Sequence, residues 1–222
     1  MIMENFLIVG HRGAAQLPEN TIPSFEKALE LGAHGFELDG RQTSDQKLVV
    51  VHGAVVGSLS VQANTYHQLN ATTEGQEIPL LEEVLKKFPH LEFLDIELKS
   101  PGFEKEVVEL IQMYCDPTRV LVSAFDPDVL TKMYNLSSQI ELGFIYNRTQ
   151  DEESRHNCPV DVLKPQFRLT SRELIEEVHD EGLRVIPWTV NDEKEMRRLI
   201  NLGVDGIISD YPKKLLEIVQ ES

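Results

Sequence analysis

From Phe6 to Ser209 the chain alternates short apolar runs with amphipathic helical stretches, and few folds accommodate such a pattern. The strand-like runs are Phe6–His11, Gly35–Asp39, Leu48–His52, Glu92–Lys99, Arg119–Phe125, Ile140–Tyr146, Val160–Lys164, Arg184–Val190 and Asp205–Ser209. Between most of them the period changes. Phe103, Val107, Ile111 and Tyr114 share one helical face, as do Met196, Leu199, Ile200 and Gly203. The pairs Asn20-Thr21, Thr170-Ser171 and Asn191-Asp192 supply side-chain acceptors for orphan amides at three helix starts. Gly32, Gly182 and Gly203 mark three helix ends. Repeated strand–helix units with short loops predict a parallel sheet. Eight of them predict an α/β fold of the closed (β/α)8 TIM-barrel type, with its active site at the carboxyl ends of the strands. Nine runs are one too many. The link from Asp39 to Leu48 is too short and polar for a crossover helix, so Gly35–His52 holds either an irregular strand or a local hairpin. No linker, repeat or low-complexity segment interrupts residues 1–222, which read as a single domain.

Charge narrows the partners. Lys and Arg number 21 against 37 Asp and Glu, a net charge of −16. Nucleic acid and stable membrane association are disfavoured, because both need a positive surface. An anionic substrate needs local cations or a metal to offset this field. Cys115 and Cys158 lack metal-type spacing and read as reduced thiols. The first residues form neither a signal peptide nor a membrane span, so the expected location is cytoplasmic.

The strand ends carry the chemistry. In Phe93–Lys99, Leu94, Ile96 and Leu98 share one face while Asp95, Glu97 and Lys99 share the other. An apolar face packed on helices leaves the charges pointing into the barrel, where they must pair or bind a metal. Glu37 and Asp39 repeat the pattern. Glu37, Asp39 and Glu97 therefore form a candidate set of hard oxygen ligands for Mg²⁺ or Ca²⁺. The plainer reading makes them ion-pair partners of Arg12 and Lys99. His11 and His52 each end a strand, and two imidazoles flanking a phosphate suit general acid and base work near neutral pH. Zn²⁺ ligation is the alternative, which the carboxylate-rich set disfavours. His34, His67, His90, His156 and His179 end no strand and read as surface or loop residues. Trp188 serves either as core or as an apolar wall for a small alcohol. Ser123 and Lys164 either hydrogen-bond a phosphate or cap the barrel rim.

Together these residues resemble the glycerophosphodiester phosphodiesterase family over nearly the whole chain. The resemblance rests on His11-Arg12-Gly13 with Pro18-Glu19-Asn20-Thr21, on Glu37-Leu38-Asp39, and on Ile96-Glu97-Leu98-Lys99. It extends to Trp188-Thr189-Val190-Asn191 and to Gly203 through Pro212. It implies a barrel of the phosphoinositide-phospholipase type that cuts glycerophosphodiesters, such as glycerophosphocholine or glycerophosphoethanolamine, into sn-glycerol 3-phosphate and an alcohol. On that reading Glu37, Asp39 and Glu97 hold Mg²⁺ or Ca²⁺, and His11 and His52 exchange protons. Arg12 and Lys99 stabilise the phosphorane charge, Trp188 contacts substrate, and the glycerol 2-hydroxyl attacks phosphorus to give a cyclic phosphate. Which histidine is the base stays open. The segment at about 53–77 is shortened, and Gly53 stands where the family usually has an aspartate. Other readings are a phospholipase D-like hydrolase of lysolipids and a non-catalytic sugar-phosphate binding barrel. A monomer or homodimer is expected.

Overall fold

A computed structural model describes residues 6–73, 75–148 and 153–221. Residues 1–5, on which the reading of the leader rests, lie outside them. The ring is built from β1 (Leu7–His11), β2 (Gly35–Gln42), β6 (Phe93–Leu98), β7 (Val120–Ala124), β8 (Glu141–Tyr146), β9 (Val162–Pro165), β10 (Arg184–Val185) and β11 (Gly206–Ser209). All neighbours along this path pair in parallel, in the order β10-β9-β8-β7-β6-β2-β1-β11. Backbone bonds then close the seam: Asp205 donates to the Val185 carbonyl at 3.0 Å, Ile208 to Pro187 at 3.1 Å, and Val190 to Ile208 at 2.9 Å.

The surplus run is a local hairpin. β3 (Leu48–Val50) lies antiparallel on the extended end of β2, with Gly40 opposite Val50 and Arg41 opposite Val49. The chain then forms a second small hairpin, β4 (Val55–Val56) with β5 (Leu59–Ser60), and a short helix, Tyr66–Asn70, before rejoining the barrel. The paired segment 184–190 is shorter than the sequence suggests, because Pro187 has no N–H to add to a ladder.

Side-chain alternation produces two cores and a polar interior. Outward residues of the strands, such as Phe36, Leu38, Leu94, Ile96 and Val122, pack against the helices in the main core. Phe25 of the helix Ile22–Glu30 stacks on Phe36 at 4.2 Å, and Phe88 meets Phe36 edge-on at 5.1 Å. Inward, Val9, Phe93, Leu121, Val162, Ile186 and Ile208 fill the barrel. The next inward positions on three of these strands, Asp95, Ser123 and Lys164, are polar and buried. The hydrophobic layer thus forms a floor beneath a charged chamber.

Helix ends follow the sequence signals. Thr21 and Ser24 bond reciprocally, Ser171 accepts from the Leu174 N–H, and Asp192 accepts from the Glu195 N–H. Gly203 caps its helix with φ 94°. Gly35 is required for a different reason: a Cβ there would sit 1.7 Å from the Phe93 carbonyl oxygen. Gly35→Ala is expected to destabilise the fold by about 3 kcal/mol or more. Urea unfolding with a lowered midpoint and unchanged slope checks this; an unshifted midpoint shows that β2 and β6 can separate freely.

Candidate active site

The β1 tip is bent onto its neighbour. Arg12 adopts φ 52° and Asn20 φ 57°, left-handed values that non-glycine residues hold only when their surroundings fix them. The fixing contacts are present. The Arg12 N–H donates to Glu37 Oε2 at 3.0 Å, and the Ser24 hydroxyl and the Asn20 N–H both donate to the Arg12 carbonyl. Buried Asn20 donates Nδ2 to Asp39 Oδ2 at 2.7 Å and accepts from the Asp39 N–H at 3.2 Å. Strained backbone and carboxylates therefore hold each other in place.

Register brings the acids together. β2 and β6 pair with Asp39 opposite Glu97, and β1 pairs with β2 with His11 opposite Glu37. One oxygen each from Glu37, Asp39 and Glu97 lie within 4.8 Å of one another, and all three residues are buried. Lys99 Nζ bridges Asp39 Oδ1 at 2.9 Å and Glu97 Oε1 at 2.5 Å, and Arg12 Nε approaches Asp39 Oδ2 at 3.0 Å. The ion pairs of the plainer reading are thus real, but they are lopsided. Burial raises the pKa of Asp39, yet Lys99 and Arg12 more than reverse this and hold it below the usual range. Burial pushes Glu37 well above its ordinary value, with Asp39 and Glu97 adding to the rise. Burial also raises Glu97 despite the pull of Lys99. Lys164 also pulls on Glu37 and Glu97 but is paired with Asp95, so Arg12 and Lys99 alone are left to balance the three carboxylates. The donor set is hard oxygen, buried and short of positive charge, which fits Mg²⁺ or Ca²⁺.

The imidazoles differ. His11 Nδ1 lies 2.7 Å from Asp210 Oδ1. Asn191 holds Asp210 in turn: its Nδ2 donates to Asp210 Oδ2 at 2.5 Å, and its Oδ1 accepts from the Asp210 N–H. Burial raises the Asp210 pKa, but the hydrogen bond and charge of His11 bring it below the ordinary value. His52 is exposed and is fixed through its backbone, where Arg41 Nε and Nη2 both donate to its carbonyl at 3.0 and 2.8 Å. Burial of part of the ring lowers the His52 pKa, opposed by Asp39 and reinforced by Arg12 and Lys99.

Seven of the eight predicted site residues line one cavity of about 100 Å³: His11, Arg12, Glu37, His52, Glu97, Lys99 and Trp188. Asp39 lies directly behind, fully buried. Trp188 is both wall and packing: it meets Phe125 edge-on at 5.8 Å and donates Nε1 to the Lys164 carbonyl at 2.9 Å. Lys164 and Ser123 do not cap the rim. Lys164 also lines the cavity, but its Nζ bonds Asp95 and donates to Ser123 Oγ at 2.8 Å, and Ser123 donates to Asp95 Oδ1 at 2.7 Å, so the three close on one another. Of the remaining histidines, His34 accepts from the Ile8 N–H, and His179, on the helix Arg172–Asp180, meets Asp205 at 2.9 Å. Asn20, Arg41, Asn191 and Asp210 are the site residues whose roles sequence reasoning missed. Asp210 directly follows β11, so the rule that selected His11 at the end of β1 also reaches it.

A family model described as "Glycerophosphoryl diester phosphodiesterase family" matches residues 11–214. A protein of Caldanaerobacter subterraneus subsp. tengcongensis described as a glycerophosphodiester phosphodiesterase is 32% identical, over 97% of this chain and 98% of its own length. A glycerophosphodiester phosphodiesterase structure from Parabacteroides distasonis superposes with a TM-score of 0.87 at 26% identity, covering 98% of both chains. An Oleispira antarctica phosphodiesterase, solved with its product sn-glycerol-3-phosphate, shares the fold with a TM-score of 0.85 at 24% identity, covering 96% of both chains.

Proposed function

Because the chain belongs to the glycerophosphoryl diester phosphodiesterase family, we propose that it hydrolyses glycerophosphodiesters to sn-glycerol 3-phosphate and an alcohol at the His11–His52 chamber. The carrying observation is the convergence of His11, His52, Arg12, Lys99, Glu37 and Glu97 on one cavity, with Asp39 clustered behind the two glutamates. Glu37, Asp39 and Glu97 would hold Mg²⁺ or Ca²⁺, which supplies positive charge to offset that gathering on the phosphoryl oxygens. Arg12 and Lys99 add fixed positive charge beside the same oxygens.

The two histidines divide the proton work. With Nδ1 donating to Asp210, His11 presents a basic Nε2 and takes the proton of the glycerol 2-hydroxyl as its oxygen bonds phosphorus. His52, whose ring has no carboxylate partner among the described residues, protonates the departing alcohol oxygen as the phosphorus–oxygen bond breaks. Water then adds to the cyclic phosphate, giving its proton to His52, and His11 returns its proton to the 2-oxygen as the ring opens. Trp188 and Phe125 form an apolar wall against the glycerol carbons. Arg41 fixes where His52 stands, a task the family's usual aspartate cannot perform here, because residue 53 is glycine.

The test is the purified protein with glycerophosphocholine and Mg²⁺ or Ca²⁺, with glycerol 3-phosphate followed by a coupled dehydrogenase. Product is expected with the ion and about 10²-fold less after chelation. No product with any divalent ion or head group refutes the activity, and undiminished activity after chelation refutes the metal assignment. Among the described residues no helix is long and apolar enough to cross a membrane. That and the net charge of −16 support a cytoplasmic setting and a small free diester as substrate.

A further inference from the structure

A second cavity, of about 360 Å³, opens beside the first and shares His52 with it. Its walls come from the β3 hairpin and the segment after the helix Tyr66–Asn70. Val50, Val56, Ile78 and Pro79 give apolar surface, and Glu77 and Glu19 give carboxylates. The two acids differ in availability. Glu19 is paired with Arg12 at 2.9 Å, whereas among the described residues Glu77 has only the Tyr66 hydroxyl at 3.3 Å. The same hydroxyl donates to the Ile78 carbonyl at 2.9 Å, which ties this edge of the cavity to the helix.

Resting on the phosphodiesterase reading above, we propose that this cavity is the subsite for the departing alcohol and that Glu77 selects alcohols bearing a positive charge. The placement follows from His52. A group that protonates the leaving oxygen stands at the scissile bond, so the two arms of the diester diverge from it. The glycerol phosphate arm occupies the small chamber with Arg12 and Lys99, and the alcohol arm enters the larger cavity.

Chemistry of the walls sets the preference. From Leu48 to Leu85 the sequence has no Lys or Arg, so no fixed cation from this stretch opposes an ammonium group. The hydroxyls of Thr72 and Thr73, which line the cavity, donate to the Leu69 and Asn70 carbonyls and offer no free proton to a polyol. No Phe, Tyr or Trp ring lines the cavity among the described residues, so the ammonium is met by a carboxylate and not by such a ring face. The apolar walls accept the methyl or methylene groups of an amino alcohol. Choline and ethanolamine esters carry the charge that Glu77 can pair, whereas glycerol and inositol esters find only the polar reach of Gln76.

All four diesters release glycerol 3-phosphate, so one coupled assay reads them in common units. At low ionic strength kcat/KM for the choline and ethanolamine esters is expected to exceed that for the glycerol and inositol esters about tenfold, shrinking as salt is added. Glu77→Gln should bring the ratio close to one, and Glu77→Asp should keep most of it. A wild-type ratio near or below one overturns the subsite, as does a Glu77→Gln protein that loses the same factor on every diester. Absence of glycerol 3-phosphate from all four overturns the phosphodiesterase reading itself, which distinguishes the two failures.

Discussion

Glu37→Gln is expected to lose on the order of 10³-fold in kcat/KM and yet to melt about 3 °C higher than the unaltered protein in chelator. The two halves have one cause. Glu37 is buried among carboxylates, and burial with the charges of Asp39 and Glu97 makes its ionised form costly. Glutamine removes that charge and keeps an oxygen to accept the Arg12 N–H, now bonded to Glu37 Oε2 at 3.0 Å. What disappears is the third oxygen anion of the candidate ion site. Added Mg²⁺ or Ca²⁺ should therefore stabilise the unaltered protein through mass action and leave the variant nearly unmoved. Thermal melts with and without the ion, beside the coupled assay, check both halves. A variant that melts lower in chelator shows that Glu37 is a structural ion-pair member and not a site kept at the expense of stability.

His11→Ala and His52→Ala are each expected to lose on the order of 10²-fold or more on glycerophosphocholine. Their separation comes from the leaving group. Nitrophenolate departs without a proton, so a glycerophospho-nitrophenol ester should restore most of the rate of His52→Ala, read as nitrophenol release. It should do little for His11→Ala, because the 2-hydroxyl still needs a base. The opposite pattern exchanges the two roles. Failure to rescue either variant excludes acid catalysis on the alcohol by either imidazole.

Much of this site was legible because a barrel strand has a simple rule. Alternation in Phe93–Lys99 put Leu94, Ile96 and Leu98 against helices and Asp95, Glu97 and Lys99 inside, and the structure places them so. Partners across strands were not legible. Ser123 and Lys164 sit near strand ends, but folding turns their polar atoms onto Asp95, a partner that alternation along one strand does not reveal. The hairpin of β2 and β3 also stayed ambiguous, since the four-residue apolar run Leu48–Val51 carries no mark of its direction. Asp210, Asn191 and Asn20 were quoted in motifs or as caps without a site role. Their partners are other side chains brought near only by folding: His11 and Asp210 are 199 positions apart. Gly53 drew attention as a loss, whereas the compensating contact, Arg41 on the His52 carbonyl, had no sequence signature.

β11 pairs along its length with β1 and closes the ring against the segment after β10, and the His11–Asp210 pair spans the β1–β11 junction. A ribosome that has delivered β1 through β9 has therefore made all three acidic ligands and both imidazoles, but no catalyst. On the proposed mechanism, competence waits for β11 to dock beside β1 and bring Asp210 to His11. Onset of hydrolysis during refolding then serves as a clock for ring closure, separate from the earlier collapse of the apolar floor.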